Sequence, residues 1–151
     1  MIREGLKLSA NPLDLAPDFV NCIRQDNDVA AVLVFGSASR GKLKPLSDLD
    51  LAVLLSSRLS KNERMEKQLD LLGIANSMFR TDEIDLIVLN DTPPRIAHNI
   101  LKTGVLLFIR DKNFYSDFRE RIVRQYLDFK YFRDSFDQEF LKGIGDNGRT
   151  N

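Results

Sequence analysis

The sequence predicts an α/β fold, and two observations carry that reading. Four apolar runs, VAAVLVF, LDLAVLL, IDLIVL and VLLFI, have the length and β-branched content of buried strands. Before, between and after them lie segments whose apolar residues recur every three or four positions, the period of amphipathic helices. Alternation of the two patterns along 151 residues describes one sheet flanked by helices, in a chain long enough for a real core.

Residues 1–16 show no sustained period and form an irregular lead-in; a single domain is expected over 17–142. Pro17 stands near the start of a short helix over Asp18–Asn27, with Phe19, Val20, Cys22 and Ile23 at helical spacing. Val29–Phe35 is the first strand, bounded by Asn27-Asp28 and Gly36-Ser37 and buried on both faces. Residues 37–44 make a turn that Pro45 ends, and Leu49–Leu55 is the second strand. Ser60-Lys-Asn-Glu63 is a capping box that opens a helix through Met65, Leu69, Leu72 and Phe79.

Ile84–Leu89 is the third strand. Asp91-Thr-Pro-Pro94 opens a helix through Ile96, Ile100 and Leu101, and Gly104 suits the C′ position after it. Val105–Ile109 is the fourth strand. From Asn113 onward, Phe114, Phe118, Ile122, Tyr126, Phe129, Phe132, Phe136 and Phe140 mark one long amphipathic helix over 113–141. The glycine-rich residues 143–151 read as a flexible tail. A helix of that length spans about 40 Å at 1.5 Å per residue, whereas a five-residue strand reaches only ~17 Å. Part of 129–140 is therefore expected to project and to dock a second chain, either a partner or another copy.

Composition narrows the function. Hydrophobic content of 43% and charged content of 29% suit a globular domain. With 22 basic and 22 acidic residues, the net charge is zero, so the broad basic footprint of a nucleic-acid binder is missing. The one cysteine, Cys22, excludes an intrachain disulfide and fits a reducing cytosol. No secretory signal and no membrane-length apolar run is present, so a cytoplasmic location is expected.

The chemistry concentrates between Gly36 and Leu55. Asp48 and Asp50 flank one residue, which on an extended strand puts both carboxylates on one face. Asp50 stands between Leu49 and Leu51, and Asp85 between Ile84 and Leu86; a charge in such a run is costly unless paired or bound to a metal. Three acids at or near strand starts point to one end of a sheet. Hard divalent cations such as Mg²⁺ take oxygen ligands of this kind together with substrate phosphates. A third carboxylate orients or deprotonates an incoming hydroxyl.

Gly36-Ser37, at the end of a buried strand, presents backbone N–H groups and a hydroxyl to a phosphate, although taken separately a plain strand-to-helix turn explains it as well. Lys42 comes too early and no GK[ST] follows, so the stretch is not a P-loop. Arg40 suits a triphosphate or a salt bridge to the site's own aspartates, Lys42 less so, and Ser47 caps the turn. His98, the only histidine, has no Cys or His cluster around it in sequence and is read as a helix packing residue rather than a zinc ligand.

Gly36-Ser37, ten residues, then Asp48-Leu-Asp50 resembles the GSx10DxD signature of the DNA-polymerase-β-like nucleotidyltransferases. The fuller string GSASRG…SDLDL is similar to the minimal nucleotidyltransferase branch, the MntA-type antitoxins of HEPN–MNT toxin–antitoxin pairs. Asp85 in EIDLIVL resembles the third acidic position, and PPRIAHNILKTGVLLF the helix-then-strand unit after it. The resemblance covers about Val29–Arg110.

It implies a nucleotide-binding palm of small mixed sheet flanked by helices. It further implies two Mg²⁺ ions on Asp48 and Asp50 with Asp85 completing the triad, and ATP phosphates held by Gly36, Ser37 and Arg40. The implied reaction is attack of a hydroxyl on the α-phosphate of ATP, and the implied acceptor a tyrosine of a cognate HEPN ribonuclease toxin in a hetero-oligomer. A small-molecule transferase of the aminoglycoside-modifying kind is a weaker fit, because little chain remains beyond the palm to line a polycation cleft. An antitoxin acting by contact alone is the reading from another class. The projecting helix leaves a homodimer as a further expectation.

Overall fold

Val29–Phe35 (β1) and Leu49–Leu55 (β2) form the middle of the sheet in the computed structural model, which describes residues 16–36, 49–79 and 83–150, with side chains to 143. Ile84–Val88 (β3) and Val105–Ile109 (β4) are its edges, giving the order β3-β2-β1-β4. β1 runs antiparallel to both neighbours, while β2 and β3 are parallel. The sheet is therefore mixed, and its parallel pair needs a crossover helix. Lys61–Phe79 (α2) supplies it, after Ala16–Ile23 (α1) has opened the described fold. Pro94–Thr103 (α3) precedes β4, and Lys112–Thr150 (α4) follows it.

Apart from Asp50 both central strands are apolar, because each face is covered. On one face Leu49, Leu51, Val53 and Leu55 of β2 pack with Phe19 and Ile23 of α1 and Leu71, Ala75 and Phe79 of α2. On the other, Ala52 and Leu54 meet Ala97, Ile100 and Leu101 of α3 and Tyr115, Phe118 and Ile122 of α4.

The capping box forms as expected: Ser60 N–H donates to Glu63 Oε1 at 2.9 Å, and Glu63 N–H to Ser60 Oγ at 3.2 Å. Hydrogen bonds to the Glu63 carboxyl from the backbone and then the side chain of Ser60 hold it below its usual range. The stripe of α2 differs from the expectation. Met65 and Leu69 are exposed; Phe79 is buried and Leu72 partly buried as expected, and Leu71 and Ala75 complete the buried face. The buried face continues toward the helix start through polar residues. Arg64 makes a bidentate pair with Asp91 (2.9 and 2.7 Å), Lys67 donates to Asp26 (2.7 Å), and Gln68 to the Leu86 carbonyl on the edge strand (2.8 Å). Periodicity of apolar residues alone does not register a face that docks by charge at one end.

The third strand ends a residue early, at Val88, and passes into a 3-10 turn over Leu89–Asp91. Within that turn the Asn90 amide donates to the Leu55 carbonyl and accepts from Leu55 N–H, both at 2.9 Å, continuing the β2 ladder with a side chain. Pro94 begins α3 and Gly104 ends it, but with φ −74° rather than the left-handed geometry of a C′ glycine. Glycine is required there by space: a Cβ would stand 2.6 Å from the Ile100 carbonyl oxygen and 3.2 Å from that of Val34.

Asp111 caps α4 by accepting from Phe114 N–H at 3.0 Å. The helical backbone then runs 39 residues, through the stretch 143–150 where a tail was expected. Gly143, Gly145 and Gly148 weaken a helix by about 1 kcal/mol each, but no proline ends this one. Its last buried residue is Ile122; beyond it Phe129, Phe132, Phe136 and Phe140 are 50%, 71%, 62% and 58% exposed. Among the described residues no helix is long and apolar enough to cross a membrane.

Candidate functional site

At one end of the sheet the C-terminus of β1 meets the N-termini of β2 and β3. Asp50 and Asp85 are direct Cα partners in the parallel pair, one residue into each strand, and Phe35 faces Asp50 across the antiparallel pair. Neighbouring strands lie about 4.8 Å apart, so two partner carboxylates on one face share a single gap. The face is the one carrying Ala52, Leu54, Ile87 and Leu89. Further along those strands α3 and α4 cover it; at this end Asp85 is exposed and Asp50 half-buried. The Leu49 N–H donates to the Glu83 carbonyl at 3.0 Å, which fixes the start of the parallel register.

Gly36 closes β1 with φ +74°, a left-handed conformation that favours glycine. An added Cβ would lie 2.4 Å from Asp50 Oδ2. Thus the glycine has a second task that the sequence did not disclose. Besides freeing backbone amides, it makes room for the carboxylate of the neighbouring strand.

Ser37, Arg40, Lys42, Ser47 and Asp48 lie outside the described residues. The structure thus brings together Gly36, Asp50 and Asp85, three of the six residues singled out from the sequence. Among the described residues no group of three His, Cys, Asp or Glu side chains surrounds a metal-sized space. The pair present, with two carboxylates on one face of adjacent strands, is an all-oxygen donor set that fits a hard divalent cation and leaves positions for phosphate oxygens.

His98 stands elsewhere. Its ring lies 3.9 Å from that of Tyr126 at the contact of α3 with α4, a packing role as expected. Cys22 is exposed on α1 and free.

The polymerase beta nucleotidyltransferase family model matches residues 19–113. The fold is similar to that of a chain in a toxin–antitoxin crystal structure with AMP-PNP, at 18% identity and TM-score 0.66, over 83% of this chain and 98% of that one. It is also similar to a chain of a complex between tri-AMPylated Shewanella oneidensis HEPN toxin and MNT antitoxin, at 16% identity and TM-score 0.63, over 87% and 99%. A MntA–HepT toxin–antitoxin structure gives 16% identity and TM-score 0.61, over 85% and 98%. No curated protein matches the chain by sequence.

Proposed function

Because the chain belongs to the polymerase beta nucleotidyltransferase family, we propose that it moves AMP from ATP to a tyrosine hydroxyl of a partner HEPN toxin and so acts as that toxin's antitoxin. The observation that carries the transfer is the pairing of Asp50 with Asp85 beside Gly36 at one end of the sheet. The likeness in fold to chains from complexes with AMP-PNP and with a tri-AMPylated HEPN toxin supports the nucleotide and the acceptor.

In this reading Asp48, Asp50 and Asp85 hold two Mg²⁺ ions. When bound, Mg²⁺ neutralises charge on the phosphate oxygens and on the attacking and leaving oxygens of an in-line displacement. Ser37 and the amides around Gly36 hold the β- and γ-phosphates, with Arg40 as a further grip. Asp85, the more exposed acid, orients the acceptor hydroxyl and takes its proton. The acceptor oxygen then bonds to the α-phosphorus, the bond to the bridging oxygen breaks, and pyrophosphate leaves. Gly36 keeps the Asp50 carboxylate in place throughout. A cytoplasmic setting goes with ATP as the donor.

Incubation with ATP, Mg²⁺ and the protein encoded beside it, followed by intact-mass measurement, tests the proposal. The expected result is one or more AMP additions on the partner, lost in Asp50→Ala and Asp85→Asn. No mass change with any nucleotide would refute transfer. Full neutralisation of the toxin by an Asp48→Ala/Asp50→Ala chain would assign the antitoxin effect to contact alone.

A further inference from the structure

Beyond Ile122 the long helix leaves the sheet, and its outer surface carries two patterns. Tyr126, Phe129, Phe132, Phe136 and Phe140 form a stripe with spacings of three, three, four and four, nearly symmetric about Phe132. The charges are asymmetric. Residues 119–133 hold five basic side chains against Glu120 and Asp128, a net +3, whereas residues 134–142 hold Asp134, Asp137 and Glu139 against Lys142, a net −2.

At the foot of the projection a groove of about 770 Å³ lies between α3 and α4, floored by Ile96, Tyr126 and Phe129 and edged by Arg95 and Lys102. Its edge repeats the basic character of the near half. Among the described residues no acidic side chain lines it.

We propose that α4 pairs antiparallel with α4 of a second copy of this chain. Reversal about Phe132 brings Phe129 of one copy to Phe136 of the other, and Tyr126 to Phe140. The same reversal lays the acidic far segment of each copy along residues 123–131 of its mate, where Arg124 and Lys130 outnumber Asp128, and along the Arg95–Lys102 edge. A parallel pair would set like charge against like. Covering the exposed parts of four phenylalanines on each copy removes roughly 1,000 Å² in total, the size at which specific interfaces begin. Charge complementarity of the two halves names a second copy as the occupant, independently of any toxin bound elsewhere.

The test uses the full chain alone, without nucleotide or partner protein, in sedimentation equilibrium at low and high salt. Wild type is expected at twice 17.3 kDa, with weaker association as salt screens the complementary halves. An acid-to-base variant (Asp134→Lys, Asp137→Lys, Glu139→Lys) and a base-to-acid variant (Arg124→Glu, Lys130→Glu, Arg133→Glu) should each be monomeric. Mixed together they should form a one-to-one heterodimer, because each far segment again faces its opposite; this recovery also shows that both variants fold. A wild-type chain that stays monomeric overturns the proposal, as does a dimer indifferent to both reversals or a mixture that fails to recover association. None of these outcomes bears on whether AMP is transferred.

Discussion

Replacing Gly36 with alanine should remove most activity while leaving the chain folded. Two effects act at once. The residue sits at φ +74°, where a side chain costs roughly 1–2 kcal/mol. Its Cβ would also lie 2.4 Å from Asp50 Oδ2, and contacts below 3.0 Å do not persist, so the carboxylate must retreat by about 0.6 Å. A misplacement approaching 1 Å at a reacting centre costs about 10²-fold, which puts the expected loss of transfer rate at roughly 30- to 100-fold. The backbone penalty should lower the melting temperature by roughly 3–8 °C.

Initial rates of AMP addition by intact mass, set beside a thermal melt by circular dichroism, read both effects. A second substitution separates them. In the Asp50→Ala background the clash is gone, so alanine at 36 should cost less stability than in the wild type, a non-additive pair. Transfer within threefold of wild type by a folded Gly36→Ala chain would refute the reasoning, since the acid would then tolerate displacement.

Three further outcomes are expected from elsewhere in the fold. Gly104→Ala meets backbone oxygens at 2.6 and 3.2 Å at an ordinary φ, so about 1–3 kcal/mol should be lost from overpacking alone, measurable in urea unfolding. Asn90→Ala removes both side-chain bonds to Leu55 and leaves its backbone groups unmet, which should cost about 1–3 kcal/mol and show as faster amide exchange at Leu55. The hydrogen bonds from Arg64 hold the Asp91 carboxyl below the ordinary value of 3.8. A depressed folded-state value means the contribution is complete above the unfolded pKa and fades as pH falls through the folded one. Because the pair is largely solvated, it is worth at most about 1 kcal/mol. Wild type should therefore lose this contribution as pH falls below 3.8, and Asp91→Asn should lack that acid-dependent component.

Much of this architecture is legible in the residues. β1, β2 and β4 begin and end where their apolar runs do, and β1, covered on both faces, has no polar position to blur its limits. Asp50 and Asp85 stand out for the same reason: a charge inside such a run asks for an explanation. What stays hidden is contact between segments far apart in sequence. The crowding of Gly36 against Asp50, of Gly104 against Val34, and the bonding of Asn90 to Leu55 depend on strand register, which no local pattern encodes. The start of the α2 face is hidden on similar grounds, since Arg64, Lys67 and Gln68 dock it through partners on other elements.

The short anchorage of α4 has a mechanical consequence. Among the described residues the helix grips the core through Phe114, Tyr115, Phe118 and Ile122, yet its 39 residues extend about 58 Å at 1.5 Å per residue. It is a lever with a short inner arm and a long outer one. Load applied at the far end turns the rod about that inner grip, which shares one core with α3, β1 and Ala52 and Leu54 of β2, the strand that carries Asp50. Whatever seizes the outer arm therefore pushes on the same core that stands behind the acidic end of the sheet.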